Sequence, residues 1–547
     1  MSVPRRLDLW NSWVSDYDNR IRIIADFCVE DGLKHDGATM AQIPSYVTSL
    51  PDGTDTGLYL AVDLGGTNLR VCAVDLLGDS TYSMKQSKVA IPSQLMLAAT
   101  FSELFAFIAT RLHLFLQKHH PEYLEASSSN GATTAVKKDN ILLGFTFSFA
   151  FEQQALDRGT LLRWTKGFNI PDAIGMDICS TFQSEIDKLQ LPVIVAALVN
   201  DTVGTLLARS YTSPGKSPTL LGAIFGTGTN GAYVERMSRL TKLKKGEKPT
   251  GDEMIVNSEW GSFDNEMKVL PDTVYDQALD TESVHPGIQM FEKRISGMYL
   301  GEVLRHAIVG LLSSQGSVNT SSKLHEAYTI DSSFLSMAAS DDTAGLTVIR
   351  KQLDLLLEID ASVEIAEAVK ILALAIGRRA ARLAGVAIAG VIIKSGRLSA
   401  PIPTGSKKNA VAASVKTVGD VEQATFDSSS DPARKRTGLW SMIYRVFATT
   451  AWWLSLPLRM FGGGQIKLVT DRPTDMIDVG VDGSLFEFYP KFEEIIRGVL
   501  QEVEEIGIEG ERRVQIGKAQ DGSGVGAALA ARAAGKAREL EANKLPK

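Results

Sequence analysis

Leu58-Tyr-Leu-Ala-Val-Asp63, Leu64-Gly-Gly-Thr-Asn68 and Leu69-Arg-Val-Cys-Ala-Val74 form the stretch that decides the fold. A second copy of the pattern runs Leu220-Leu-Gly-Ala-Ile-Phe225, Gly226-Thr-Gly-Thr-Asn230 and Gly231-Ala-Tyr-Val-Glu235. Each is a short run of β-formers, a turn that glycine makes easily, and a second apolar run, so each reads as strand, turn, strand. Turns of this kind aim backbone N–H groups and Thr or Asn side chains at one spot, which is how a chain without a Walker loop can hold phosphate oxygens. Either turn alone could be an ordinary connector. Two of them, with Asn200-Asp201 between, point to two lobes closing on one nucleotide.

Composition bounds the problem. A chain of 547 residues is too long for one core, so two lobes or domains are expected. Hydrophobic content of 44% and charged content of 22% fit a soluble globular enzyme. A net charge of −7 without a long basic run argues against nucleic acid as a partner. Cys28, Cys72 and Cys179 are widely spaced and odd in number, which suits a reducing compartment and no disulfide framework. The N-terminus lacks a secretory apolar region, which predicts an intracellular, cytoplasmic protein.

Strand and helix patterns alternate along the chain, as in an α/β protein. Trp10 to Gly32 and Phe101 to His119 have helical spacing, Ala126 to Lys138 reads as a surface loop, and Ile141–Ser148 and Pro192–Val199 read as buried strands. Glu364 to Ile393 predicts a long buried helix, with a strand at Gly390-Val-Ile-Ile-Lys394 after it. Residues 399–464 break the rhythm with a polar, small-residue half, then Arg434-Lys-Arg436 and an apolar run holding Trp440, Trp452 and Trp453. A basic flank with tryptophans over 434–460 suits an anionic membrane surface, such as that of the mitochondrion, or a protein partner. An insertion packed on its own domain fits equally well.

Leu143-Gly-Phe-Thr-Phe-Ser148, Leu162-Arg-Trp-Thr-Lys-Gly-Phe168 and Val199-Asn-Asp-Thr-Val-Gly-Thr205 carry the chemistry. With Val256-Asn-Ser-Glu-Trp-Gly261, Phe291-Glu-Lys-Arg-Ile-Ser-Gly-Met-Tyr-Leu-Gly301 and Asp521-Gly-Ser-Gly-Val-Gly-Ala-Ala-Leu529, they stand in an order that resembles the eukaryotic, fungal-type hexokinases. The resemblance covers nearly all of the chain outside 399–464. It implies the actin-like ATPase (ribonuclease H-like) fold, with two lobes on mixed β-sheets around a cleft. It also implies an N-terminal domain over 1–208, mostly small lobe, and a C-terminal domain over 217–534 whose last helix returns to the small lobe.

A sugar hydroxyl is a poor nucleophile and needs a carboxylate to accept its proton as phosphorus is attacked. Asp201, at the end of a strand, is the choice for that base, and the resemblance gives it the same role; a helix cap is the bland alternative for Asn200-Asp201. A sugar pocket needs acceptors and amides that a wrong ligand would leave unpaired. Ser148, Asn200, Asn257, Glu259 and Glu292 match the family's hexose-binding positions, and Thr165 with Lys166 matches its Thr-Lys pair, where an ammonium neutralises charge on the transferring phosphoryl. For ATP, Gly65, Gly66, Thr67, Asn68 and Arg70 grip phosphates from one lobe, and Gly226, Thr227, Gly228, Thr229 and Asn230 from the other. Gly522, Ser523, Gly524 and Gly526 resemble the family's adenosine-side loop. Asp63 is the candidate to hold Mg²⁺ through water.

Two positions depart from the family pattern: Ala150 stands where a proline usually follows Ser-Phe, and Met176 where many members have His. Losing the proline is expected to free the loop bearing Ser148. The function implied is transfer of the ATP γ-phosphoryl to the 6-hydroxyl of a hexose such as glucose, the first step of glycolysis. A hexokinase-like sugar sensor with little turnover stays open beside it, and a sugar-independent ATPase is disfavoured by the Ser148, Asn257, Glu259 and Glu292 set.

Overall fold

Apolar runs on either side of each glycine turn pair as antiparallel hairpins, and each hairpin seeds one sheet. The computed structural model describes residues 33–34, 38–66, 68–128, 140–164, 166–213, 217–243, 248–314, 322–399 and 476–542. In chain order the first elements are β1 (Ile43–Pro44), β2 (Thr56–Leu64), β3 (Asn68–Leu77), β4 (Tyr82–Ala90), helix α1 (Phe101–His119), β5 (Ile141–Phe147), β6 (Ala150–Ala155) and β7 (Arg158–Arg163). Next come α2 (Ile178–Lys188), β8 (Val193–Val199), α3 (Asp201–Thr212), β9 (Thr219–Phe225), β10 (Thr229–Arg236) and β11 (Glu253–Asn257). The remainder are α4 (Val363–Ser395), β12 (Ile477–Asp482), α5 (Phe492–Glu502), β13 (Val514–Lys518) and α6 (Gly522–Ala542).

The first lobe is a mixed sheet in the order β4-β3-β2-β5-β8, with β2 antiparallel to β3 and parallel to β5. The second is a mixed sheet in the order β1-β11-β10-β9-β12-β13. Leu60, Ala61 and Val62 are buried in succession, because β2 is covered on both faces. One face packs on α1 and α2 through Leu60, Val62, Phe105, Phe145 and Phe182. The other packs on α6 through Ala61 and Ala527. Each large side chain buried this way contributes about 1.5–3 kcal/mol.

Helices α3 and α6 lie against each other between the sheets, and small residues let them approach. A Cβ on Gly204 would collide with the Gly522 carbonyl, one on Gly526 with the Gly204 backbone, and one on Gly144 with the Ala527 carbonyl. From the opposite side α3 is tied to the six-stranded sheet. The Arg209 guanidinium donates to Asp478 on β12 at 2.6–3.1 Å, and the Thr219 hydroxyl donates to the same carboxylate at 2.7 Å.

The strand expected at Gly390–Lys394 is instead the last turns of α4, which runs unbroken to a left-handed Gly396 at φ 69°. Residues from Arg379 through Ile392 are buried without interruption, so the segment has no polar face to mark its period and its apolar tail reads equally as strand. Arg379 makes a bidentate pair with Asp276 at 2.7 and 2.8 Å, which compensates two buried charges. Of the expected loop at 126–138, residues 126–128 end the helix Pro121–Ser128. The leading helix at Trp10–Gly32, the rest of that loop, and everything in the 399–464 insertion beyond Ser399 lie outside the described residues. The described part belongs to one unit, residues 1–400 with 473–547, and no helix in it is long and apolar enough to cross a membrane.

Candidate active site

Strand β8 ends at Val199, and Asn200 caps α3 with its Oδ1, which accepts the Thr202 N–H at 2.9 Å. Asn200 is therefore both the cap that its position allows and a member of the site. Asp201 follows as the first helical residue. Burial pushes its carboxyl up to about 6; Lys166 and the Thr202 amide pull against that, while Asp63 and Glu259 add to it. A carboxyl so raised is a better proton acceptor than an ordinary aspartate and is still ionised near neutral pH.

Two more carboxylates converge on it from the side of the six-stranded sheet, one just after β11 and one from a short helix. Glu259 follows β11 at φ 53°, in the left-handed region, which is strained for a side-chain-bearing residue. Burial raises its carboxyl, and the Asn257 and Asn230 amides, at 2.7 and 3.3 Å, oppose that. Glu292 opens the short helix Glu292–Ile295 and accepts the Thr229 N–H at 2.9 Å. Burial pushes Glu292 up to about 7, with Glu259 and Asp201 raising it and the Thr229 amide and Lys166 lowering it. Gly228 has no side chain because a Cβ would press on Glu292 Oε2 at 2.8 Å.

Asn230 was expected among the phosphate ligands. Its Nδ2 donates to Asn257 Oδ1 at 2.7 Å and to Glu259 at 3.3 Å, so its side chain lies beside two of the residues expected to bind the sugar. Thr229 likewise turns inward: its Oγ1 donates to the Ile224 carbonyl at 3.0 Å and accepts from Trp260 Nε1 at 3.1 Å. Strand alternation sends the two side chains to different partners, because β10 begins at Thr229 and successive side chains face opposite ways. That leaves Gly226, exposed Thr227 and Gly228 as the turn itself, closed by the Gly226 N–H on the Gly228 carbonyl at 3.0 Å.

Across the cleft, Gly65 donates to the Asn68 carbonyl at 3.0 Å, closing the first turn, and Lys166 packs on Gly66. Lys166 has φ 55° and its ammonium lies 5.6 Å from the Phe149 ring centroid. Ser148, half-buried, leaves β5 just before Phe149. Phe149 packs edge-on against Trp164 and Phe168, and Trp164 stacks on Phe168. This cluster, together with the pairing of Ala150 to Arg163, restrains the Ser148 loop that the missing proline was expected to free. Thr67 and Thr165 lie outside the described residues.

Gly522, Ser523, Gly524 and Gly526 form the first turns of α6, where a loop was expected. Gly522 and Gly526 have no side chain because α3 occupies that space. Ser523 donates to Asp63 Oδ2 at 2.8 Å and meets Arg70, which also reaches Asp63 at 3.3 Å and Asp521 at 2.7 Å. Asp521 was missed by the sequence reading although it opens the quoted motif. Asp63 Oδ1 has no hydrogen-bond partner among the described residues, so one oxygen can face a hydrated cation. Elsewhere, Glu282, Glu302 and His306 come close enough to share a metal ion, but the Arg305 guanidinium already pairs with both glutamates.

Two hexokinase family models match the chain, one over residues 15–211 and the other over 220–425 and 460–533. A glucokinase of Aspergillus niger is 44% identical, over 93% of this chain and 92% of its own length. Glucokinase-1 of Saccharomyces cerevisiae is 37% identical over 90% and 87%, and hexokinase-2 of Schizosaccharomyces pombe is 35% identical over 92% and 90%. Among solved structures, a Schistosoma mansoni hexokinase complexed with glucose superposes with a TM-score of 0.69 at 29% identity, covering 97% of this chain and 98% of that one.

Proposed function

Since this chain belongs to the hexokinase family and transfers a phosphoryl group from ATP to a hexose, we propose that its substrate is D-glucose, phosphorylated at the 6-hydroxyl with Asp201 as the base. The observation that carries this reading is the convergence of Asp201, Glu259 and Glu292 with the amides of Asn200, Asn230 and Asn257 on one pocket opposite Lys166. Carboxylates and amides at strand ends suit a ring of hydroxyls, and a ligand lacking one hydroxyl would leave a buried acceptor unpaired.

In this reading Glu259, Glu292, Asn257, Asn230 and Ser148 orient the sugar so that its 6-hydroxyl faces Asp201, which takes the proton as the oxygen attacks. Lys166 neutralises charge on the transferring phosphoryl. Gly65, Gly66 and Asn68 offer backbone groups to the phosphates from one side, Gly226 to Gly228 from the other, and the N-terminus of α6 a third set. Mg²⁺ would be held through water by Asp63 and would offset phosphate charge. A sugar sensor without turnover is not favoured, because base, lysine and acceptors stand together.

The two family domains would be residues 1–208 and 217–534. We further propose that 434–460, within the 399–464 insertion, attaches the protein to an anionic surface, each basic residue adding about 1 kcal/mol. A coupled assay with ATP, Mg²⁺ and a panel of hexoses tests the substrate; glucose should give the highest kcat/KM, and preference for a sugar lacking an equatorial hydroxyl would reject the assignment. Deleting 399–464 should leave phosphorylation intact and abolish sedimentation with anionic liposomes.

A further inference from the structure

Away from the cleft, a half-open pocket of about 140 Å³ lies between α1 and the edge strand β4, over β3. Its floor is apolar, built from Val71, Val89 and Phe115, and its rim carries exposed Leu114, Arg111, Lys118, His119 and the Ser87 hydroxyl. Lys85 adds a further ammonium, donating to the His119 carbonyl at 3.4 Å. No carboxylate lines it. Arg111 sits 4.9 Å from the Phe107 ring centroid, and its buried Nε has no hydrogen-bond partner. Neither Arg111 nor Lys118 has an ion pair among the described residues. Burial and the repulsion of Lys118, Lys85 and His120 hold the His119 imidazole below its ordinary value.

We propose that this pocket is a second binding site, for a phosphate monoester whose apolar body is about one ring in size. Several clustered cations in a chain of net charge −7 favour a dianion over a monoanion. A cavity of this volume takes about one benzene ring. The floor offers no acceptor for hydroxyls, so a sugar phosphate would leave its ring hydroxyls unpaired there. Val71 on the floor adjoins Arg70, whose side chain points to the opposite face of the sheet, so the site backs onto the first phosphate turn.

Calorimetric titration of the full chain with phenyl phosphate, with glucose and a non-hydrolysable ATP analogue saturating the cleft, tests the proposal. Saturable one-to-one binding is expected, weakened roughly tenfold or more in Arg111→Gln and in Lys118→Gln, the scale of one charge-assisted hydrogen bond. Both variants should phosphorylate glucose at the parent rate, which also reports that they fold. Inorganic phosphate and glucose 6-phosphate should each bind at least about tenfold more weakly than phenyl phosphate. Absence of binding, binding indifferent to both substitutions, or equal affinity for inorganic phosphate or glucose 6-phosphate would overturn it.

Discussion

At the scale of single residues, the chemistry turns on carboxyls that burial holds above their ordinary range. In the proposed mechanism Asp201 is the base, which requires it deprotonated, and a carboxyl pushed up to about 6 is still mostly ionised at neutral pH. Replacing it with Asn keeps shape and hydrogen bonding but removes the acceptor, so kcat should fall roughly two to four decades while glucose and ATP still bind. Equal turnover in Asp201→Asn would refute the assignment. Glu292, raised to about 7, and Asp201 repel each other and titrate as a set. Because both are needed ionised, kcat/KM should decline as pH falls from about 7 through 6, well above the range of ordinary carboxylates, and a profile flat to pH 5 would contradict this. Asn230 separates two readings. Bonded to Asn257 and Glu259, it predicts that Asn230→Ala raises the glucose KM by about tenfold and leaves the ATP KM nearly unchanged. Sequence singled out Asp201 and Glu259, since each sits in a specific motif, and the structure brings their carboxyls together. The sequence grouped Asn230 with the turn because a contiguous glycine turn hides where strand alternation begins.

Among elements, the decisive contact is the crossing of α3 and α6. Gly204 and Gly526 are there because each backbone occupies the volume a Cβ would need. In the sequence Gly526 reads as part of a ligand-binding loop, since a stretch Gly-Ser-Gly-Val-Gly looks like flexible backbone whether it approaches a nucleotide or another helix. Gly526→Ala must push the helices apart, and overpacking of this kind costs about 1–3 kcal/mol. Thermal unfolding should report a lower Tm, with sugar KM altered as well, because α3 begins at Asp201; an unchanged Tm would mean the crossing is loose. The buried Arg379–Asp276 pair in the second lobe gives an independent test. Arg379 is the partner that holds the Asp276 carboxyl below its ordinary value despite burial. Arg379→Leu strands that charge and should cost about 3–5 kcal/mol, seen in urea unfolding. Hairpins and strands are legible here because glycine turns bracket them, whereas the end of α4 reads as a strand because its second half, buried on all sides from Arg379 to Ile392, has no polar stripe to count.

For the whole molecule, the proposed sugar ligands are carried by different elements on the two sides of the cleft, so the proposed mechanism expects the lobes to tighten on a bound sugar. Ser148 follows β5 of the five-stranded sheet and Lys166 follows β7, which pairs with β6 in a two-stranded sheet; Asn230 and Asn257 stand on β10 and β11 of the six-stranded sheet, Glu259 just after β11, Glu292 on the short helix whose carboxylate meets the start of β10, and Asn200 with Asp201 at the start of α3. A hexose bonded to both sets gains its full complement of hydrogen bonds only in the closed form, so binding should shift the population toward it. Trp164 is placed to report this. Its Nε1 donates to the Ile170 carbonyl at 2.9 Å, its ring stacks on Phe168, and Phe149, one residue after Ser148, packs edge-on against it. Any tightening of the Ser148 loop around a sugar must move Phe149 and change the surroundings of the indole. Glucose should therefore shift or quench tryptophan emission and lower the radius of gyration in solution scattering. Glu259→Ala removes an acceptor on the opposite lobe, about 1–3 kcal/mol or one to two decades in affinity, without touching the aromatic cluster. Its response should vanish at the glucose concentration that saturates the parent and return at about tenfold to a hundredfold more sugar. A normal titration in Glu259→Ala would mean that glucose is held by one lobe alone, and the closure argument would fall.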